Sequence, residues 1–229
     1  SVVNQGIFQE GSSLSLTVKG LKISPLVFKE IYYACSRTPL NKSYIYEQFY
    51  EVYNNSSQML YLDGIHFANL YPDKSSTNLP LWPEEDGDDY IYALRVWKFP
   101  GSGKDYPLQP GESCVIAQFA VNHQLDIYNP ASPVDNSSAD FEFYMDNANY
   151  TNAPAPDMEH VFYDGKAEKG KLKQYLTTVF GGAYVAFQVP EGETWDPVND
   201  PNMQTRDLST TKVTLYAKVP IRYVLDAVE

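Results

Sequence analysis

The sequence predicts an all-β fold, a β-sandwich with long loops and one or two short helices. Nineteen Tyr and eleven Phe occur together with 16 Pro and 13 Gly, a composition that suits short pleated strands separated by turns. Several segments alternate apolar and polar residues, as at 14–19, which is typical of a half-buried strand. Roughly ten such strands are expected, a number typical of sandwiches.

The predicted strands follow one another along the whole chain. Each is an alternating run or a segment rich in β-branched and aromatic residues. In order they are 14–19, 26–33, 48–53, 59–62, 90–99, 113–117, 141–145, 160–163, 183–189, 213–219 and 223–228. Short helices are predicted only at 117–125, where Phe119, Val121 and Leu125 share a face, and at 169–177.

Turn residues separate these strands. Gly20 ends the first one. Asn54 follows the third, and Asn side chains favour turns because they bond to their own backbone and tolerate positive φ. Asp63 with Gly64 forms the next predicted turn, and Gly111, after a proline, predicts a tight turn at the entry to strand 113–117.

The domain organisation predicted from these breaks has two parts. Residues 1–20 are either the trailing strand of an upstream domain or the first strand of this one, and residues 21–229 form the sandwich domain. Long irregular stretches rich in Pro, Asn, Asp and Ser interrupt this domain. Because loops longer than about 12–15 residues are uncommon unless they bind something or move, function is expected there. They lie at 71–89, 127–139, 147–158 and 191–209.

The charge balance excludes some classes of partner. The chain has 17 Lys plus Arg and 29 Asp plus Glu, a formal net charge of −12. Nucleic acid and anionic membrane surfaces are bound mainly through Lys and Arg, so neither is expected as a partner. No run of 18 or more apolar residues occurs, so this chain itself is not expected to insert into a membrane.

Four motifs in order resemble the lamin-tail domain, an immunoglobulin-like β-sandwich. A strand with an acidic residue precedes Glu-Val-Tyr-Asn, then Leu-Tyr-Leu-Asp-Gly, then Leu-Gln-Pro-Gly before another strand. The motifs lie at 26–33, 51–54, 60–64 and 108–111, and the resemblance covers about 21–117. It implies a lamin-tail-like, immunoglobulin-like sandwich. The nuclear role of lamins does not transfer, because fold does not fix function.

At full length the chain resembles an uncharacterised domain-of-unknown-function family of exported Bacteroides lipoproteins. The segments that carry this likeness are 99–107, 138–142 and 221–229. In that family a carboxypeptidase-regulatory-like sandwich precedes a lamin-tail-like domain, and members usually continue past the position of Glu229. The resemblance implies a place in the periplasm or on the outer-membrane surface of a Gram-negative bacterium, with a lipid anchor outside this chain.

Two cysteines and one acidic run offer possible sites. Cys35 and Cys114 permit one disulfide in an exported protein, and two buried free thiols are the alternative. The run at 84–89 holds five carboxylates, and calcium takes six to eight oxygens. Asp86, Asp88 and Asp89 are therefore candidate calcium ligands. The spacing does not fit an EF-hand, and the alternative is a solvated acidic loop.

Aromatic residues in the loops are the candidate ligand-binding residues. Trp82, Trp195 and Tyr106 could stack on a sugar or anchor a protein partner, because Trp and Tyr combine apolar area with a polar tip. The alternative is that these rings pack into the sandwich and its loops, as is expected of Trp97 in its strand.

The function expected from the sequence is non-enzymatic. His66, His123 and His160 are far apart and have no metal-site spacing, and no Gly-x-Ser-x-Gly motif occurs. We therefore expect a binding or cell-adhesion module that presents its loops to a partner. The family resemblance implies that it belongs to a cell-envelope lipoprotein and that the partner is an envelope protein or another surface partner. The alternative is a carbohydrate-binding accessory module with aromatic loops, whose partner is a glycan.

Overall fold

The computed structural model describes residues 24–148, 151–169, 175 and 180–229. The described part is mostly β, in several sheets, and its helical segments are three 3-10 turns: Glu84–Asp86, Pro201–Met203 and Ile221–Tyr223. None of these described helices is long and apolar enough to cross a membrane. The all-β prediction is confirmed. The predicted strand at 14–19, the segment 1–20 and most of the predicted helix at 169–177 lie outside the described residues.

Fifteen strands are present in the described part of the chain. They are β1 (Leu26–Tyr32), β2 (Ser36–Arg37), β3 (Ser43–Tyr44), β4 (Phe49–Asn54), β5 (Leu60–Tyr61), β6 (His66–Leu70), β7 (Tyr90–Lys98), β8 (Pro107–Leu108), β9 (Ser113–Ala117), β10 (Phe141–Glu142), β11 (Glu159–Tyr163), β12 (Tyr184–Phe187), β13 (Gln204–Arg206), β14 (Leu215–Pro220) and β15 (Val224–Val228). The ten predicted strands after residue 20 are all confirmed within a few residues, although β10 is shorter than predicted.

The smaller main sheet has four strands in the order β1-β4-β9-β10, with β10 parallel to β9. Burial alternates along β4, as the sequence pattern predicts. Tyr50 and Val52 are buried in the core, whereas Phe49, Glu51 and Tyr53 are only half-buried. This sheet therefore has one face on the core and one face that is open.

The larger sheet has seven strands in the order β13-β14-β7-β6-β12-β15, with β11 also paired to β7. Strand β6 was not predicted from the sequence. It lies between β7 and β12, and His66, Phe67 and Ala68 are all buried. A central strand that is buried on both faces has no polar and apolar alternation, so period-two analysis misses it.

Two apolar clusters cover the two faces of the larger sheet. Between the sheets, Phe67 packs against Tyr50 at 4.6 Å and Phe143 at 5.3 Å between ring centroids. On the other face, Val185 and Phe187 belong to a second cluster. The aromatic excess of the sequence is thus used largely in packing.

The predicted helix at 117–125 is wrong. Ala117 ends β9, and turns and bends follow. The backbone N–H of Gln118 donates to the Gln48 carbonyl at 2.9 Å, and that of Ala120 donates to the Glu142 carboxylate at 3.1 Å. The Ala117 carbonyl, which would accept from the Val121 N–H in a helix, accepts instead from the Phe143 N–H at 3.0 Å.

The predicted turn at Asp63 organises the loop after β7. Its carboxylate accepts hydrogen bonds from the backbone N–H groups of Gly103, Asp105 and Tyr106 at 2.8–2.9 Å. Burial opposes ionisation, but these donors outweigh it and hold the pKa of Asp63 below its usual value. Gly101, at φ 115°, has no room for a side chain because a Cβ there would overlap the same carboxylate.

We predict that Asp63→Ala destabilises the protein by about 2–4 kcal/mol, because three backbone N–H groups lose the buried, charged acceptor that they share. Urea denaturation measures the change. Asp105→Ala is the matched control, since Asp105 is exposed and its carboxylate bonds only within its own turn, to Ser102. Equal losses for the two variants would contradict this role of Asp63.

Candidate functional site

Trp82 lies half-buried in the loop between β6 and β7, fixed against the larger sheet by other rings. It stacks on Tyr92 with centroids 3.8 Å apart and an angle of 14° between the ring planes. Tyr216 meets it edge-on at 5.4 Å, and Tyr71 does so at 6.1 Å. Tyr92 and Tyr216 belong to β7 and β14, so strands hold this loop tryptophan in place.

A buried ion pair also fixes the loop between β6 and β7 that carries Trp82. Asp86 is almost fully buried and forms an ion pair with Lys218. It also accepts a hydrogen bond from the Tyr92 hydroxyl at 3.2 Å. Burial raises the pKa of Tyr92, and the nearby Asp86 carboxylate raises it further, so this hydroxyl stays protonated and donates. Lys218 also lies over the Tyr90 ring at 4.4 Å.

The candidate calcium ligands are not brought together. The carboxylate oxygens of Asp86 bond to Lys218 and Tyr92, whereas Asp88 and Asp89 are exposed. Across the described ranges, no group of three or more His, Cys, Asp or Glu side chains could hold a metal ion. The assignment of Asp86 as a calcium ligand is corrected: this residue is the counterion of a buried lysine.

Trp195 is a core residue rather than an exposed ligand-binding residue. Only 8% of its surface is exposed, and it meets Phe187 edge-on at 5.1 Å and His66 at 5.4 Å. Its indole N–H donates to the Lys218 carbonyl at 2.8 Å. The packing alternative is therefore correct for Trp195. It belongs to the cluster on the opposite face of the larger sheet from Trp82.

Tyr106 also packs against the scaffold. It is half-buried, and its ring meets Phe141 edge-on with centroids 4.9 Å apart. Tyr106, Trp82 and Trp195 thus have separate environments, and the three predicted ligand-binding aromatics do not form one surface.

An exposed apolar surface lies beside Trp82, and the sequence analysis did not select its residues. Leu79, Leu81 and Leu208 are exposed by 71%, 57% and 46%, and together they are called the Leu81 surface here. The Leu208 N–H donates to the Leu81 carbonyl at 2.8 Å, and the Leu81 N–H donates to Asp207 at 3.0 Å. Two loops far apart in sequence are thereby joined. The available sequence signal was leucine at alternate positions in a Pro-rich loop.

Both cysteines are free thiols, which is the alternative to the possible disulfide, although only Cys114 is buried. Cys35 is exposed and follows β1. Cys114 is buried in β9 opposite Val52, within the core between the sheets. Burial raises the pKa of the Cys114 thiol well above its usual value, so this cysteine is an uncharged packing residue.

His66 and His123 are buried and His160 is half-buried, and this burial disfavours the charged form of each ring. Burial lowers the pKa of His66 to about 3 and that of His160 to about 4, and it also lowers the pKa of His123. The Nε2–H of His123 donates to the Phe119 carbonyl at 3.0 Å, because a carbonyl only accepts. Its Nδ1 therefore accepts from the Tyr44 hydroxyl at 2.7 Å. Their place is in the scaffold.

These features define an all-β protein that carries an exposed apolar surface on long loops. The chain belongs to the DUF4876 family, described as a protein of unknown function, whose profile matches residues 109–229. It is similar to the protein in a crystal structure of a DUF4876 family member from Bacteroides thetaiotaomicron VPI-5482, with 63% sequence identity and a TM-score of 0.89. That match covers 100% of this chain and 59% of the relative's chain. No curated protein matches the sequence.

The resemblance to a Bacteroides family of unknown function is confirmed by these comparisons. The lamin-tail and lipoprotein parts of that resemblance stay predictions. The chain spans 59% of the length of this relative.

We predict that Asp86→Ala destabilises the protein by about 3 kcal/mol, because it leaves the Lys218 ammonium without a counterion in a largely buried site. The double variant Asp86→Leu with Lys218→Met should recover most of this loss. Urea denaturation provides the measurement. Asp88→Ala, at an exposed position of the same loop, serves as control with an expected change within about 0.5 kcal/mol. A similar loss for Asp86→Ala and Asp88→Ala would refute the buried-pair assignment.

Stability should fall between pH 7.5 and 5.5. The histidine pKa values are lower in the folded state, so the unfolded state binds more protons and stability rises with pH. The histidines' contribution to the free energy of unfolding is complete above their unfolded pKa of about 6.5. It is lost as the pH falls below that value, by up to about 1.4 kcal/mol per pH unit for each histidine. Denaturation at several pH values tests it, and His66→Gln should flatten the slope. A stability that does not change with pH in this range would contradict the lowered histidine pKa values of the folded state.

Proposed function

We propose that the chain is a non-enzymatic binding module of a cell-envelope lipoprotein, and that its loops dock an envelope protein. The Leu81 surface carries this proposal. Soluble proteins rarely leave several large aliphatic side chains exposed side by side without a use for them. Leu79, Leu81 and Leu208 are large exposed aliphatic side chains on two loops that are hydrogen-bonded to each other.

The Leu81 surface has a rigid foundation, which favours binding. Trp82, next to Leu81, stacks on Tyr92, and the buried pair of Asp86 and Lys218 holds the same loop. Ordering a mobile loop at an interface costs free energy, and a loop that is already fixed avoids most of that cost. The surface is therefore prepared for an apolar partner.

The charge beside this surface indicates the partner's chemistry. Glu84 and Glu85 are exposed three and four residues after Leu81, and Asp88 and Asp89 are exposed beyond them. An apolar centre with an acidic border fits a protein whose apolar anchors are flanked by Lys or Arg. The net charge of −12 would also speed the approach of such a basic partner.

The fold type and the cellular address belong to the same proposal. Two packed sheets joined by long loops, with antiparallel pairing of β1, β4 and β9, support an immunoglobulin-like, lamin-tail-like sandwich. The similarity to a Bacteroides protein is consistent with a Gram-negative source. The exported, envelope-bound address is inferred from the resemblance that residues 99–107, 138–142 and 221–229 carry. Fractionation of the producing cells and labelling with a clickable fatty acid would test that address.

A glycan is the second candidate partner. A glycan site made of Trp82, Trp195 and Tyr106 is not formed, because these rings do not meet on one surface. One face of Trp82 is taken by Tyr92, and Trp195 is buried. The observation that favours a sugar lies elsewhere, on the smaller sheet.

We predict that a photo-reactive amino acid at Leu79 in the full-length protein, expressed in its native cells, cross-links one defined envelope protein. The same group at Leu40, which is 78% exposed in the turn between β2 and β3, should not. Adding Leu81→Asp and Leu208→Asp should abolish the cross-link and leave the thermal midpoint unchanged, because both side chains are exposed. Leu40→Asp is the matched control. The proposal fails if Leu40 gives the same product, or if the aspartates leave cross-linking intact.

A further inference from the structure

A groove crosses the open face of the smaller sheet. It has a volume of about 390 Å³ and is bounded by β1, β4, β9 and the segment 133–139. This volume falls within the range of about 300–1,000 Å³ that is typical of small-molecule sites. The groove shares no residue with the Leu81 surface.

Two aromatic rings form the floor of the groove. Tyr32 and Phe49 lie opposite each other in the pairing of β1 with β4. Their rings are stacked, with centroids 5.4 Å apart and planes within 7°. Both are half-buried, so part of each ring borders the groove, and Val115 on β9 extends the apolar floor.

A buried carboxylate joins the aromatic floor of the groove to its wall, which is the segment 133–139. Glu47 is fully buried, and its side chain accepts hydrogen bonds from the hydroxyl of Ser132 and from the backbone N–H of Ser36 at 2.7 Å. Its carbonyl accepts from the Asn136 side chain at 3.2 Å. The Tyr32 hydroxyl also forms a hydrogen bond with this carboxylate. Burial is the main cause that raises the pKa of Tyr32, and the nearby Glu47 carboxylate raises it further. Both sides of the groove are thus anchored to one residue.

A second pair of hydrogen bonds fixes the C-terminal end of this segment to β9. Asp140 follows the segment 133–139, and its carboxylate accepts from the Val115 N–H at 2.8 Å. The Asp140 N–H donates in return to the Val115 carbonyl at 2.9 Å. The wall is therefore held at both ends, so the groove keeps its shape without a ligand. Such preorganisation lowers the cost of binding.

The polar groups of the groove suit a neutral ligand with many hydroxyls. Glu30, Asp135, Asn136 and Ser138 border it, and no Lys, Arg or His is among its lining residues. Carboxylates accept hydrogen bonds from hydroxyl donors and repel phosphates and other anions. Aromatic faces attract the weakly positive C–H groups of a sugar ring, because the face of the π-system is negative.

We propose that this groove binds a neutral pyranose unit of a glycan. The sugar lies with its C–H face on the outer face of the Phe49 ring, opposite the face that stacks on Tyr32, and its hydroxyls donate to Glu30 and Asp135. A protein partner on the Leu81 surface and a sugar in the groove are separate binding events, so the failure of one leaves the other intact.

The test is calorimetric titration of the chain with neutral sugars: glucose, galactose, mannose, N-acetylglucosamine and their oligomers. We expect at least one to bind and glucuronic acid to bind more weakly than glucose. Phe49→Ala should lower the affinity for that sugar roughly tenfold, a loss of about 1.4 kcal/mol in binding free energy. Tyr53→Ala is the matched control, because Tyr53 is an aromatic residue of the same strand and face outside the groove.

Two further measurements keep the test independent of folding. Glu30→Gln changes an exposed side chain only, and it should weaken sugar binding while the thermal midpoint stays constant. In the unaltered protein, the sugar that binds should shift the NMR signals of the Val115 methyl groups and leave those of Leu208 unchanged. The proposal is overturned if no neutral sugar binds at millimolar concentration, if glucuronic acid binds more tightly than glucose, or if Phe49→Ala and Tyr53→Ala behave alike.

Discussion

The larger sheet is buried on both faces, and much of the architecture follows from this. Tyr184 and Ala186 of β12 pack into the core between the sheets, whereas Val185 and Phe187 pack into the cluster on the other face. Apolar surface on both sides must be removed from water, so two covers are required. The smaller sheet is one cover. Residues that follow β12, including Trp195, contribute to the other, which is why this tryptophan is not available for a ligand.

Many of the carboxylates in this acidic chain hold loops in place. Asp63 gathers three backbone N–H groups, and Glu142 accepts from Ala120 at 3.1 Å and from Ala153 at 2.8 Å. Glu47 and Asp86 are buried as well, the first among hydroxyl and N–H donors and the second beside Lys218. Long irregular segments contain backbone donors that no strand satisfies, and a buried carboxylate can satisfy several at once. Part of the charge of −12 is therefore structural.

The two proposed binding surfaces use different physical principles. The Leu81 surface is exposed and aliphatic, which suits a protein partner. The groove on the smaller sheet is concave, with stacked rings and acceptor groups, which suits a small hydroxyl-rich ligand. Each is held by its own buried carboxylate, Asp86 or Glu47. A module with both surfaces could link an envelope protein to a glycan.

The all-β class, the strands β4, β7, β12 and β14, and the turn at Asp63 can be predicted from the sequence, because they depend on local alternation and local turn chemistry. Which loop residues are buried depends instead on how the sheets and loops pack. Trp82 and Trp195 lie in Pro-containing loops of similar composition, yet one borders an exposed surface and the other fills a core. Such outcomes depend on residues far away in the sequence, such as Lys218, and no local pattern records these contacts.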